Sequence, residues 1–234
     1  DIGGEKNATN DHATRDFYVD LQDYSDMTFG NTGFRFVRLD FSGEATVKSV
    51  IAINHILKKK AIYEYSGDDK EIRDIFVAAK RTIDLCAGQE YLWDGIKRDR
   101  WVWGGDAYQS YFVNYYLMND NDIVRRTQRI LRGADPMTMH INTISDYTFY
   151  WISAMWEYYF HTGDIAFIRS MYATMLSTMD FVEGRLDADG LYEKRRGDWV
   201  FVDWSKFFYL VAGPICAEQM FLCHAYACMA KSAE

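Results

Sequence analysis

Only two prolines occur among the 234 residues, too few for the turn-rich connections of an all-β domain. The four cysteines, Cys86, Cys216, Cys223 and Cys228, contain no Cys-x-x-Cys pair. None of the histidines, His12, His55, His140, His161 and His224, stands at a metal-ligand spacing, so no metal site is expected. Three of the cysteines fall on one predicted helix, and all four are expected to be small buried apolar residues. Positive charge is also short. The net charge is −8, whereas a nucleic-acid partner requires a clustered basic face; none is expected. The basic clusters Lys97, Arg98, Arg100 and Lys194, Arg195, Arg196 are interleaved with Asp and Trp and read as carboxylate partners. No membrane span is expected either, since the uncharged stretch Phe207 to Ala217 is too short and holds Gly213 and Pro214. The chain begins with Asp, and Asp1 to Arg15 has no apolar core of the signal-peptide kind, so the natural N-terminus is expected to lie upstream.

What is present is apolar material in helical register. Hydrophobic residues make up 49% of the chain, enough for a sizeable core. Residues 1–60 differ from the rest. Phe34–Phe41 and Ala45–Ile53 are β-branched and aromatic, punctuated by Gly30, Gly33 and Gly43. This predicts strands that complete a β-domain, because two or three strands make no stable sheet alone. From Asp68 the period becomes three to four: Ile72, Ile75, Phe76, Ala79, Ile83 and Cys86 follow an Asp68/Glu71 capping box and stop at Gly88. Further helices are predicted over 106–118, 121–131, 145–161, 164–183 and 205–231, the last kinked or split by Pro214. The joins Tyr65-Ser66-Gly67-Asp68 and His161-Thr162-Gly163-Asp164 each place a stopping Gly before a capping Asp, a device that makes antiparallel hairpins. Stripes such as Phe149, Ile152, Trp156, Tyr159 and Ile168, Met171, Met175, Met179, Val182 predict helix packing.

One segment has no such period. Trp93-Asp94-Gly95-Ile96-Lys97-Arg98-Asp99-Arg100-Trp101-Val102-Trp103-Gly104-Gly105-Asp106 packs three carboxylates, three cations and three tryptophans into a glycine-bearing loop. Ordering so many polar groups is costly unless they form a network or a site. A salt-bridge loop, with Arg98 and Arg100 neutralising Asp94, Asp99 and Asp106, satisfies the charges. A carbohydrate pocket satisfies them too: carboxylates grip hydroxyls and tryptophans cover the C–H face of a sugar ring. Gly197-Asp198-Trp199 after Arg195 and Arg196 poses the same choice between an Asp–Arg loop and a second sugar-site segment.

The spacing Asp94-x4-Asp99-x6-Asp106, with Arg98 and Arg100 flanking the middle acid and Trp103-x-Gly105-Asp106 closing it, resembles the signature loop of family 78 α-L-rhamnosidases. Gly33-Phe34-Arg35-Phe36-Val37 resembles the end of that family's last β-sandwich, and Asp69 onward resembles the start of its helical barrel. Gly197-Asp198-Trp199 with Asp203-Trp204, and Ser145-Asp146-Tyr147 with Trp151, resemble further sugar-site segments. The resemblance implies that Asp94 and Asp106 hold rhamnose hydroxyls and that Asp99 protonates the departing oxygen. Many members have Glu at the middle position, so Asp99, one methylene shorter, must sit closer to the bond. Arg98, Trp103, Trp151, Asp198, Trp199 and Trp204 complete the implied substrate contacts.

The expectation is therefore a mainly α chain: a β-sandwich remnant and linker over 1–60, then the first half of an (α/α)6 six-hairpin barrel over 61–234. The implied activity is inverting release of terminal α-L-rhamnose from a rhamnose-containing oligosaccharide or glycoside, without cofactor or metal. The general base is expected beyond Glu234, and the fragment alone is expected to be inactive. Glu218, beside Ile215, Met220 and Phe221, reads as a residue of a packing helix. The alternatives are a non-catalytic carbohydrate-binding homologue and another six-hairpin glycosidase, such as a glucoamylase, trehalase or unsaturated glucuronyl hydrolase.

Overall fold

A computed structural model describes residues 16–28, 33–34, 36–56, 61–88, 90–96, 101–200, 202 and 213–234. Six α-helices are present among them: α1 (Lys70–Cys86), α2 (Gly104–Leu117), α3 (Asn121–Arg132), α4 (Ser145–Thr162), α5 (Ile165–Glu183) and α6 (Cys216–Ala233). A 3-10 turn, Ile141–Thr143, leads into α4.

Side-chain pairs fix the helix directions. Along α2 and α4, Asp106 meets Tyr147, Tyr108 stacks on Tyr150 and Tyr115 stacks on His161. Along α4 and α6, Ser145 meets Glu218, Tyr150 meets Phe221 and Trp156 lies under Lys231. Residue numbers rise together in both series, so α2, α4 and α6 run parallel as an inner row. Outside them, Arg125–Asp164, Arg129–Phe167 and Arg132–Thr178 align α3 with α5. The order of elements makes three helical hairpins, α1–α2, α3–α4 and α5–α6, half the complement of a six-hairpin barrel.

α4 is the axis of this half. Its buried residues include Tyr147, Phe149, Trp151, Ile152, Ala154, Met155 and Tyr158, facing all directions as an interior helix must. Its polar groups are also paired. Thr148 Oγ1 accepts from Ile141 N at 3.0 Å, and Ser153 Oγ donates to the Phe149 carbonyl at 3.1 Å. The predicted α5 stripe is buried throughout, Ile168, Met171, Met175, Met179 and Val182 alike.

Several expectations change. No strand is present among the described residues; Phe34, Phe36, Val37 and Ile51 are exposed and lie in no regular element, and a strand needs a partner ladder beside it. A backbone bond ties this region to the site loop, Gly33 N to Ile96 O, 3.3 Å. α1 is capped by Asp69, not Asp68: Asp69 Oδ1 accepts from Glu71 N at 2.9 Å and Ile72 N at 3.2 Å. Among the described residues no helix precedes Gly67, so of the two predicted joins it is Gly163–Asp164 that stops one helix and starts another. The α1 stripe is covered only in part by the described residues: Ile83 is buried and Phe76 packs against the core, while Ile72 is 49% and Ile75 61% exposed. Cys216 and Cys223 are exposed, and Cys86 is only partly covered, which leaves Cys228 as the one cysteine fitting the buried reading. The predicted helix over 205–231 is helical from Cys216, and residues 203–212 lie outside the described residues. No helix of the described residues is long and apolar enough to cross a membrane.

Candidate functional site

The parallel inner helices bring three N-termini to one end of the molecule, and the segments leading into them gather there. Each carries an acid in its first turn: Asp106 in α2, Asp146 in α4 and Glu218 in α6. Backbone N–H groups left over at helix starts favour negative charge.

The signature loop enters at α2, which starts at Gly104, two residues before the predicted start. Its neck is closed by Asp94, whose N–H donates to the Trp101 carbonyl at 3.0 Å while its Oδ1 accepts from Trp101 N at 3.1 Å. Asn142 anchors the far side. Its Oδ1 accepts from Gly104 N at 2.9 Å and its Nδ2 donates to the Val102 carbonyl at 3.1 Å. Asn142 does this from a positive φ of 52°, a conformation Asn tolerates better than most residues. Crowding opposes a side chain at Gly105 and leaves little room for one at Gly104. A Cβ on Gly105 would lie 2.5 Å from Tyr147 Cε1, and one on Gly104 would lie 3.1 Å from Tyr147 Cβ. That closeness lets the Tyr147 hydroxyl donate to Asp106 Oδ2 at 3.4 Å and sets Trp103 edge-on to the Tyr147 ring. Trp103 Nε1 is shielded from solvent with no hydrogen-bond partner among the described residues, an unmet donor of the kind that functional sites tolerate.

The second segment runs from Tyr192 to Trp199. Gln219 of α6 brackets Tyr192, accepting from its N–H at 2.9 Å and donating to its carbonyl at 2.8 Å. Asp198 Oδ2 accepts from Arg195 N at 2.9 Å, a tight turn made possible by Gly197 at φ 98°. Trp199 then pairs with the start of α4: its N–H donates to the Thr143 carbonyl at 2.8 Å, and its carbonyl accepts from Ser145 N at 2.9 Å. The indole is left 50% exposed at this end.

Both segments therefore meet on the first turn of α4. Asp146 is fully buried there, and Glu218, 1% exposed, reaches the Ser145 hydroxyl. Burial pushes the Glu218 carboxyl up to about 7; Asp146 and Asp198 add to the rise, while Ser145 and Lys194 oppose it. His140 is held between Thr148 Oγ1 at 2.9 Å and the Tyr192 hydroxyl at 2.8 Å. Its pKa is pushed down to about 4 by burial, aided by Arg185 and Arg195 and opposed by Asp198, so it is neutral at pH 7.

Of the residues singled out from sequence, Trp103 and Asp106 are gathered around Tyr147, and Asp198 and Trp199 beside Ser145 and Glu218. Asp94 stands at the loop neck. Trp151 is not at this end: it is 2% exposed in the core with Nε1 donated to the Gln128 carbonyl at 2.9 Å. Arg98, Asp99 and Trp204 lie outside the described residues. Sequence reasoning passed over Asn142, set His140 aside as a histidine without metal-ligand spacing, took Ser145 only as the entry to a sugar-site segment, and placed Glu218 in a packing helix. The available signal for Glu218 was its position in the first turn after Pro214. Among the described residues no cluster of His, Cys, Asp and Glu could hold a metal ion.

The family model of the bacterial alpha-L-rhamnosidase 6 hairpin glycosidase domain matches residues 64–234. The chain belongs to this family. Among solved structures it is similar to a rhamnosidase from Klebsiella oxytoca with rhamnose bound, at 23% identity and a TM-score of 0.63, over 75% of this chain and 36% of that one. It is equally similar to a GH78 family rhamnosidase of Bacillus sp. GL1, at 23% identity and a TM-score of 0.63, over 76% of this chain and 19% of that one. The chain thus spans about a third and a fifth of the lengths of these two structures. No curated protein matches it. At this identity the two structures establish the fold, that of a rhamnosidase-family six-hairpin domain.

Proposed function

We propose that the full-length protein is an inverting glycoside hydrolase that releases terminal α-L-rhamnose, and that the sugar binds at the N-terminal end of the inner helices. The observation that supports this reading is that Asp94 and Asp106, the two ends of the Asp94-x4-Asp99-x6-Asp106 spacing, stand at the entry to α2 in a chain of this family. The rhamnose bound to the Klebsiella protein supports the choice of sugar.

In this reading Asp99 protonates the glycosidic oxygen, with Arg98 beside it. Asp94 and Asp106 accept hydrogen bonds from sugar hydroxyls, Asp106 being steadied by Tyr147. Trp103, Trp199 and Trp204 wall the C–H face, and Asp198 supports the Trp199 wall. Inversion also needs a second carboxylate far enough away to admit and activate water. Asp146 and Glu218 are too deeply buried to meet that water, and the family resemblance implies a base beyond Glu234.

The test is Asp99→Asn in the full-length protein. A general acid contributes in the transition state more than to ground-state binding. Turnover of p-nitrophenyl rhamnoside should fall by ~10²–10⁴-fold with rhamnose affinity nearly unchanged. A variant retaining more than about a tenth of wild-type turnover would remove Asp99 from this role. Rhamnose binding without any wild-type turnover would make the protein a carbohydrate-binding homologue instead.

A further inference from the structure

We propose that Glu218 is a positioning residue whose proton decides whether the Ser145 hydroxyl holds the Trp199 wall of the site. The inference rests on the reading of Trp199 as a sugar-site wall, but its first observable does not.

Hydrogens are scarce at this junction. Ser145 Oγ lies 3.1 Å from the Trp199 carbonyl and within hydrogen-bond reach of Glu218 Oε1. Tyr192, whose hydroxyl is 2.8 Å from His140 Nε2, also neighbours Ser145. A serine hydroxyl has one hydrogen to donate, and a carbonyl has none. When Glu218 is ionised, its carboxylate and the Trp199 carbonyl compete for that single hydrogen. The carboxylate wins, because charge-assisted bonds are roughly twice as strong as neutral ones, and the Trp199 carbonyl loses the hydroxyl. When Glu218 carries a proton, it donates to Ser145 Oγ. The serine hydrogen is then released to the Trp199 carbonyl, completing a chain from α6 through α4 to the wall. No bond is made or broken besides the proton on Glu218, which comes from solvent.

The surroundings set where this happens. Asp146 faces Glu218 from α4, and Lys194, Asp198 and the Tyr192 phenol face it from the preceding segment. The two aspartates favour the protonated form, Lys194 favours the ionised one, and burial is the largest influence, so the carboxyl titrates at about 7. The wall is therefore held below neutrality and loosened above it. If the wall contacts sugar, KM rises with pH across this range while kcat follows the catalytic acid and base instead.

The experiment is hydrogen exchange by mass spectrometry on the full-length protein, corrected for intrinsic rates, reading peptides over 143–146 and 197–200. In the wild type, protection of these peptides should fall roughly 2- to 10-fold from about pH 6 to about pH 8, the weight of one hydrogen bond. Glu218→Gln keeps a donor toward Ser145 at every pH and should hold protection high and flat. Ser145→Ala should be low and flat, and serves if the glutamine variant fails to fold, with peptides over 149–158 reporting the integrity of α4. Flat protection in the wild type, or a pH step that persists in Ser145→Ala, would overturn the proposal. For rhamnoside hydrolysis, the wild-type KM should rise over the same pH range and that of Glu218→Gln should not. An exchange step without any rhamnose binding or turnover counts for the Glu218 device and against the sugar reading.

Discussion

The inner and outer helices start differently. The outer ones, α1, α3 and α5, are each preceded by an aspartate whose carboxylate accepts from their first free N–H groups: Asp69, Asp120 and Asp164. The inner ones, α2, α4 and α6, are preceded by Trp103, Ile144 and Ile215, none of which makes a side-chain cap, and carry their acids inside the first turn. A capping aspartate closes a helix end and contributes to stability. An apolar residue at that position forgoes the contribution and leaves the acid and the backbone dipoles for other partners. The outer row is thus built to stay folded, and the inner row spends its N-termini on the loops that the site uses.

The largest expected break in this contrast comes from an inner acid. Asp106→Ala should weaken rhamnose binding by roughly 1.5–3 kcal/mol, the weight of a hydrogen bond to a charged group, with a smaller effect on melting; Asp94→Ala should behave likewise. Calorimetry with rhamnose and thermal unfolding of the same samples separates the two effects. Unchanged affinity in a folded variant would return that residue to the salt-bridge reading.

An outer cap should show the reverse. Asp164 caps α5 through Phe167 N at 3.0 Å, accepts from the Tyr158 hydroxyl at 2.7 Å and pairs with Arg125 at 3.0 Å. Asp164→Ala is expected to cost about 2 kcal/mol of stability, the upper end for a cap, and to leave rhamnose affinity unaltered. Denaturant titration measures it, and an affinity loss beyond the stability change would blur the division between rows.

Next in size are two opposed pH dependences at the inner end. His140 has a folded pKa of about 4, below its ordinary 6.5, so the unfolded chain takes up the proton first and stability is lost as pH falls from 6.5 toward 4. Glu218 is raised from 4.5 to about 7, so the unfolded chain releases its proton first and stability is lost as pH rises from 4.5 toward 7. Each contributes a slope of at most about 1.4 kcal/mol per pH unit, and between 4.5 and 6.5 they offset one another. His140→Gln should expose the falling slope of Glu218, and Glu218→Gln the rising slope of His140. Denaturation across that range, with identical slopes in both variants, would contradict the assignment.

The smallest effect is expected at Asp69, an exposed cap with two backbone bonds. Asp69→Ala should cost about 0.5–1 kcal/mol in stability. A loss as large as at Asp164 would mean that the additional partners of Asp164 contribute little.

How legible all this was in the sequence depended on whether the deciding interaction was local. α5 could be read almost to the residue, because its stripe from Ile168 to Val182 and its Gly163–Asp164 start are local signals. The α2 start was misplaced by two residues because Gly104 and Gly105 look like loop; only the Tyr147 ring against them explains why glycine is needed inside a helix. Phe34–Phe41 carries β propensity, but pairing is a property of two segments, and no strand partner is found among the described residues. At the site, Asp94, Trp103, Asp106, Asp198 and Trp199 stood out through composition and spacing. Asn142, His140 and Glu218 did not, and Ser145 stood out only as part of a helix entry, since each matters through a partner 38 or more residues away, or through the burial that the partner imposes.

The first turn of α4 has a mechanical consequence. Tyr147 locates the signature loop, and Ser145 locates the Trp199 segment, so both walls are gauged from one datum three residues long, on a helix enclosed on all sides. A small shift of α2 or α6 displaces its own attachments without adding to an error passed along from the other. Positional tolerances that would accumulate around a chain of hairpins are instead referred to a single rigid origin, and the gap between the walls inherits the stiffness of α4.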